Sequence, residues 1–259
     1  MNRFDKVRVS VRGVSVEILA PSFFEGKGGI VPVSCESTYV NWKLKKEERI
    51  KIIGLADLCF NETTGELVLD FSGKLLPAEY RNLINKDNIL KYLEYVNELG
   101  LIRFNAKDFL QKSRVQALHS TIDIQVEKDP DSYLTFLKNL VSKMESKFWE
   151  RDYDNSRNLT IKRKTSTNKQ STTIYNKHKE LIRNNMESAL LRELLTPEDL
   201  EYFKQVLRFE QKLPNTAEIY QAFNITSKDN SLLNILHSDI YPVVNTLNTL
   251  FNSLEVPNV

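Results

Sequence analysis

The sequence predicts an α+β fold, a mainly antiparallel sheet flanked by helices, with a helical extension at the C-terminal end. Three observations carry that expectation. Apolar residues alternate with polar ones at Val7–Val11, Val14–Ile18, Val115–Val126 and Val206–Leu213, the two-residue period of strands with one buried face. The turn-forming run Asn61-Glu62-Thr63-Thr64-Gly65 separates two apolar stretches, Ile50–Phe60 and Glu66–Phe71, as a hairpin does. Helical periods stand between the strands without a regular βα repeat, which favours antiparallel pairing over a doubly wound parallel sheet.

Taken in order, residues 5–20 read as two strands or as one strand bent at Gly13. Gly26, Gly28 and Gly29 mark a hairpin loop; the EGKGG stretch lacks the later Gly-Lys-Ser/Thr that a phosphate loop needs. From Pro77 to Leu99 the apolar spacing fits one or two helices, with Asp87 as N-cap and Gly100 as the stop. Asp129-Pro130 opens another helix, whose apolar face is Tyr133, Phe136, Leu137, Leu140, Val141 and Met144. Residues 157–179 read as two strands around a polar turn, followed by helices over 178–195 and 197–205 and by a strand that Pro214 stops. Residues 216–254 have helical spacing throughout. The expected division is a β-rich segment 1–75, a central segment 76–215 and a helical extension 216–259.

Composition bounds the function. The 259 residues carry 36 Lys+Arg against 34 Asp+Glu, with 41% apolar residues, so the chain can bury a substantial core. No apolar run approaches the roughly 20 residues of a membrane helix, and Met1–Arg12 is charged where an export signal would be apolar. A cytoplasmic protein without membrane contact is expected. Cys35 and Cys59 form no CxxC pair, which speaks against a zinc ribbon or a disulfide framework. With three histidines in the whole chain, any metal would sit mainly on carboxylates.

Three segments carry candidate chemistry. On the strand 119–126, Ile122, Ile124 and Val126 face one way and His119, Thr121, Asp123 and Gln125 the other, a row of potential ligands or a solvated face. Between Asp154 and Glu180 there are Arg157, Lys162, Arg163, Lys164, Lys169, Lys177 and Lys179 and no acidic residue. Such cations, interleaved with short polar donors, suit a phosphate backbone, or form a merely solvated hairpin. Tyr175 and Lys177 are two residues apart, so a strand would put both on one face, where an ammonium can stabilise a phenolate. On the strand 206–213, Arg208, Glu210 and Lys212 share a face. Asp123 and Glu210 on neighbouring strands would hold one Mg²⁺ or Mn²⁺ through oxygen; the alternative is a cross-strand salt bridge from Arg208 or Lys212.

The ordered set Ile122-Asp123-Ile124, then Thr173-Ile174-Tyr175-Asn176-Lys177-His178-Lys179-Glu180, then Leu207-Arg208-Phe209-Glu210-Gln211-Lys212-Leu213 resembles the rolling-circle replication initiators of filamentous phages, the gene II type, and related plasmid initiators. The resemblance covers about residues 110–215. It implies a fold like that of the HUH endonucleases and a Mg²⁺- or Mn²⁺-dependent, sequence-specific enzyme that nicks one strand of a replication origin. In such enzymes a tyrosine becomes joined to the 5′ phosphate, a 3′ hydroxyl is freed for a polymerase, and the reverse reaction religates the strand. The residues this assigns here are Tyr175 and Lys177 for catalysis, Asp123 and Glu210 for the metal, and Arg157, Lys162, Arg163, Lys164, Lys169 and Arg208 for DNA. A host helicase and polymerase are the implied partners. The chain has no His-hydrophobic-His triplet; the matching strand offers Asp123 and Gln125, with His119 four residues upstream, and Thr121 two positions before Asp123. Tyr153, Tyr202 and Tyr220 stay open as nucleophiles. Two other readings remain: a non-catalytic DNA-binding protein on a similar scaffold, for copy control or transcription, and an interaction protein whose charges only solvate it.

Overall fold

The computed structural model describes residues 1–29, 39–142, 149–152, 158–163, 171–183 and 185–252. In chain order its elements are β1 (Phe4–Arg12), β2 (Val16–Ile18), β3 (Phe24–Gly29), β4 (Tyr39–Leu44), α1 (Lys46–Arg49), β5 (Leu55–Asn61), β6 (Glu66–Ser72), α2 (Ile89–Glu98), β7 (Ile102–Phe104), α3 (Ala106–Lys112), β8 (Arg114–Gln125), α4 (Pro130–Ser142), β9 (Trp149–Asp152), β10 (Asn158–Arg163), β11 (Ser171–Asn176), α5 (Lys177–Leu181), α6 (Met186–Leu194), α7 (Pro197–Lys204), β12 (Val206–Leu213), α8 (Thr216–Phe223), α9 (Leu232–His237) and α10 (Pro242–Asn252). A short 3-10 helix spans Pro77–Asn82.

Among the described residues, ten strands form one sheet in the order β3-β4-β5-β6-β1-β8-β12-β11-β10-β9, with every neighbouring pair antiparallel. The fold is thus a large antiparallel sheet flanked by helices, as the alternation and the hairpin predict. Strands of segments 1–75 and 76–215 share it, because β1 lies between β6 and β8.

One face of the sheet is apolar. Val7, Val9, Leu58, Leu69 and Leu118 pack with Leu93 of α2, Phe109 of α3, Ile219 of α8 and Ile235 of α9. Farther along the same face, Leu159, Ile174, Leu207 and Phe209 pack with Leu134 of α4 and Leu247 of α10. Removal of such side chains from water, at about 25 cal/mol per Å², is what holds the layers together. A third cluster joins Tyr80 to Leu181, Leu191, Phe203 and Val206, and so fixes α5, α6 and α7 beside the 77–82 turn. Helix α7 starts on a full capping box between Thr196 and Asp199, with Pro197 at its first position.

Local differences from the sequence reading have physical causes. Gly26, Gly28 and Gly29 belong to strand β3 rather than a loop, because their backbone pairs in register with β4, a contribution that needs no side chain. Strand β5 begins at Leu55, not Ile50, since Gly54 takes a positive φ of +78. The first residue of the 89–98 helix is preceded by Asn88 rather than Asp87 as N-cap. Cys59 is a free thiol; Cys35 lies outside the described residues. No helix among the described residues is long and apolar enough to cross a membrane.

Candidate active site

The opposite face of the sheet is polar, and alternation determines what stands on it. Once Leu118 and Ile122 of β8 turn to the helices, His119, Thr121 and Asp123 must turn away; Leu207 and Phe209 do the same for Arg208, Glu210 and Lys212 of β12. Ladder register then sets neighbours. Asp123 pairs with Arg208, Thr121 with Glu210 and His119 with Lys212 across β8 and β12, while Tyr175 pairs with Arg208 and Thr173 with Glu210 across β11 and β12. Of these residues, His119, Thr173, Tyr175, Glu210 and Lys212 line a cleft of ≈ 650 Å³. One wall is Arg49, Ile50 and residues 52–56 with Lys74; the other is Lys177, Glu180, Arg183 and residues 185–187.

Strand β1 contributes a residue that plain alternation hides. Phe4 pairs with Ser120 and Lys6 with His119, so Asp5 is the extra residue of a β-bulge. The bulge lets Phe4 and Val7 both enter the core, although they are three apart, and turns Asp5 to the polar face. Ligand atoms of Asp5, His119 and Glu210 lie within 4.8 Å of one another. His119 Nδ1 is 2.9 Å from Glu210 Oε1, and the Tyr175 hydroxyl donates to Glu210 Oε2 at 3.1 Å.

This geometry corrects two sequence assignments. Asp123 is not beside Glu210 as a metal ligand: both of its oxygens accept from Arg208, at 2.6 Å from Nε and 2.7 Å from Nη2. Arg208 also donates to Asp5 at 2.6 Å and is 0% exposed, so it cannot reach a nucleic-acid backbone. The cross-strand salt bridge is the reading that holds for Asp123. A fully buried guanidinium needs such partners, because an unpaired charge there would cost several kcal/mol. Burial works against its charge, but Asp123 and Asp5 outweigh it and hold its pKa well above the ordinary value.

Lys177 heads α5 rather than ending a strand, and its ammonium, 1% exposed, donates to Glu180 at 2.6 Å. It sits 5.8 Å from the centre of the Tyr175 ring and 4.9 Å from that of Tyr80. Lys74 approaches the other Glu180 oxygen at 3.4 Å. Burial alone would raise Glu180, yet Lys177 and Lys74 bring it down to about 2. Burial wins on Lys177, whose pKa is lowered. Tyr175 is pushed well above its usual range by burial first and then by the Glu210 carboxylate, so the hydroxyl is held as a neutral donor. Glu210 is lowered despite burial, chiefly through His119.

Lys162 stands on the polar side of β10, paired in register with Ser171 and half-buried. Arg163 ends that strand, and Arg157, Lys164 and Lys169 lie outside the described residues, as does Tyr153. Tyr202 lies against Arg81, 4.0 Å from ring centre to guanidinium, and Tyr220 packs on the first core, so neither lines the cleft. Sequence reading placed His119 on the ligand row without assigning it to the metal, and missed Asp5. The available signal was the broken parity between Phe4 and Val7.

No family model matches the chain, and no curated protein matches it. Among solved structures, it is similar to a rolling circle replication initiator protein from Geobacillus stearothermophilus, at 10% identity over 98% of this chain and 84% of that one, with a TM-score of 0.37.

Proposed function

We propose that the chain is a rolling-circle replication initiator, a metal-dependent nuclease that nicks and religates one DNA strand through Tyr175. The observation that carries this reading is the convergence of Asp5, His119 and Glu210 from three strands, with a tyrosine hydroxyl on the same carboxylate. Among the described residues, Tyr175 is the tyrosine that lines the cleft.

The three ligand residues fit a divalent ion. Two carboxylates and one imidazole are a hard, mostly oxygen set, suited to Mg²⁺ or Mn²⁺. Charge points the same way: Arg208 answers Asp5 and Asp123, and Lys177 and Lys74 answer Glu180, whereas Glu210 forms no described ion pair with Lys or Arg. A cation there would neutralise a non-bridging phosphate oxygen and offset the field that keeps Tyr175 protonated.

The chain's own residues supply the rest. Tyr175 Oη forms the bond to phosphorus as the bond to the 3′ oxygen breaks, its proton leaving toward Glu210 Oε2 and the 3′ oxygen taking one from water. Lys177, held by Glu180, places positive charge behind the ring as phenolate character develops. Arg208 fixes Asp5 and Asp123 and acts as a positioning residue. One phosphodiester replaces another, so religation needs no nucleotide energy. Lys162, Arg163, Arg157, Lys164 and Lys169 are proposed contacts to the strand.

The test is incubation of the chain with labelled single-stranded DNA in Mn²⁺ or in EDTA. An SDS-resistant protein–DNA band that requires the metal is expected. Binding without any such band under either condition would leave a DNA-binding protein and overturn the nuclease.

A further inference from the structure

Lys212 is an exposed cation that lines the cleft. Alternation puts it on the same side of β12 as Glu210, two residues and about 7 Å farther along the strand, and register sets it between His119 of β8 and Ser171 of β11. Every other residue of β12 is buried. Its charge also has no acidic partner. Among the cations of the cleft, Lys6 is answered by Asp70 at 3.2 Å, and Lys74 and Lys177 by Glu180, but Lys212 forms no ion pair or side-chain hydrogen bond with any described residue. Against burial, which raises it, His119 and then Lys212 lower the Glu210 pKa, so the field of this ammonium reaches the three candidate ligands.

A cation one step along the strand from Glu210 works against any metal ion that Asp5, His119 and Glu210 hold. An anion reaching both removes that repulsion, and consecutive phosphates of a nucleic-acid strand do so, one on the ion and the next on the ammonium. We infer that Lys212 holds the phosphate next to the one that Tyr175 attacks, so that the cleft takes a run of strand rather than a lone phosphate. The inference rests on the nucleic-acid reading of the cleft proposed above. Lysine suits the task as a point charge on a flexible stem, which follows a mobile backbone without a fixed donor geometry.

Lys212→Gln removes the charge from an exposed, unpaired side chain, so the fold is spared and two readouts of opposite sign are expected. Without DNA, the variant should bind Mn²⁺ about two- to threefold more tightly, read from the loss of the free-ion EPR signal. With Mn²⁺ present, it should bind a short oligo-dT about fivefold more weakly at about 0.1 M salt, and the log–log salt slope should fall by about 0.7, the share of one phosphate. Lys212→Arg should keep the wild-type values. Thymidine 5′-monophosphate, which offers a single phosphate, should compete equally well in Lys212→Gln and the wild-type chain. Unchanged oligo-dT affinity and slope in Lys212→Gln, or a Mn²⁺ affinity that does not rise, overturn the assignment. So does an equal loss for the monophosphate, which would put Lys212 on the ion-held phosphate itself. If the expected pattern appears and no SDS-resistant adduct ever forms, Lys212 keeps its strand-holding role and the nicking enzyme is refuted. An adduct-forming wild-type chain whose Lys212→Gln variant binds identically keeps the enzyme and removes Lys212.

Discussion

Replacing Asp123 by Asn separates a structural carboxylate from a metal ligand. The substitution keeps the shape and one acceptor oxygen but removes the charge that faces Arg208 in a two-point contact at 2.6 and 2.7 Å. Arg208 is then left, fully buried, with Asp5 as its remaining charged partner. Breaking a buried pair costs about 3–5 kcal/mol, and the retained acceptor puts the expected loss near 3 kcal/mol. For a chain of this size that is a fall in Tm of about 6–10 °C, read by circular dichroism. The ion site should survive. Mn²⁺ at about a hundred times its dissociation constant adds about 2.7 kcal/mol, and the resulting rise in Tm should be the same in Asp123→Asn as in the wild-type chain. An unaltered Tm combined with loss of the Mn²⁺-induced rise would refute this reasoning and return Asp123 to the metal.

Other perturbations test other parts of the site. Tyr175→Phe should abolish the covalent adduct while sparing strand binding; an adduct retained in that variant would move the nucleophile to another tyrosine. Glu180 is brought from an ordinary carboxylate value to about 2 in the folded chain, so its contribution is complete above the unfolded pKa and is lost as pH falls toward about 2. That contribution is at most about 3 kcal/mol, and less once the burial of Lys177 is counted, so Glu180→Gln should flatten the acid limb of a urea-midpoint-versus-pH curve. An acid limb identical to that of the wild-type chain would remove Glu180 from the account. Gly54→Ala should destabilise by about 3 kcal/mol in urea unfolding, because a Cβ there would lie 2.2 Å from the Leu75 nitrogen and the backbone φ is +78. A neutral Gly54→Ala would mean that the 49–56 wall is free to shift.

Much of the sheet was legible because its strands have one buried face. Leu207 and Phe209 on one side, with Arg208 and Glu210 on the other, determine which groups β12 sends to the cleft, and the same holds for Ile122 against Asp123 on β8. What alternation leaves open is the partner across the ladder. An Asp in mid-strand satisfies the demand for a cation equally with a metal or with Arg208, and register decided for Arg208. Asp5 was hidden for a different reason: a bulge shifts parity by one, so counting back from Val7 assigns Asp5 to the core and Phe4 to the surface, the reverse of what the structure has. The pairing of Asn158 with Tyr175 likewise depends on hairpin register, which the polar composition of residues 164–170 leaves unspecified.

In the proposed enzyme, Asp5, His119 and Glu210 hold one divalent ion beside Tyr175. A Mn²⁺ titration followed by the loss of the free-ion EPR signal tests it most directly. One ion per wild-type chain is expected, with affinity weakened at least tenfold in each of Asp5→Asn, His119→Ala and Glu210→Gln and unchanged in Asp123→Asn. Equal affinity in all five proteins, or no stoichiometric binding in the wild type, would contradict the account.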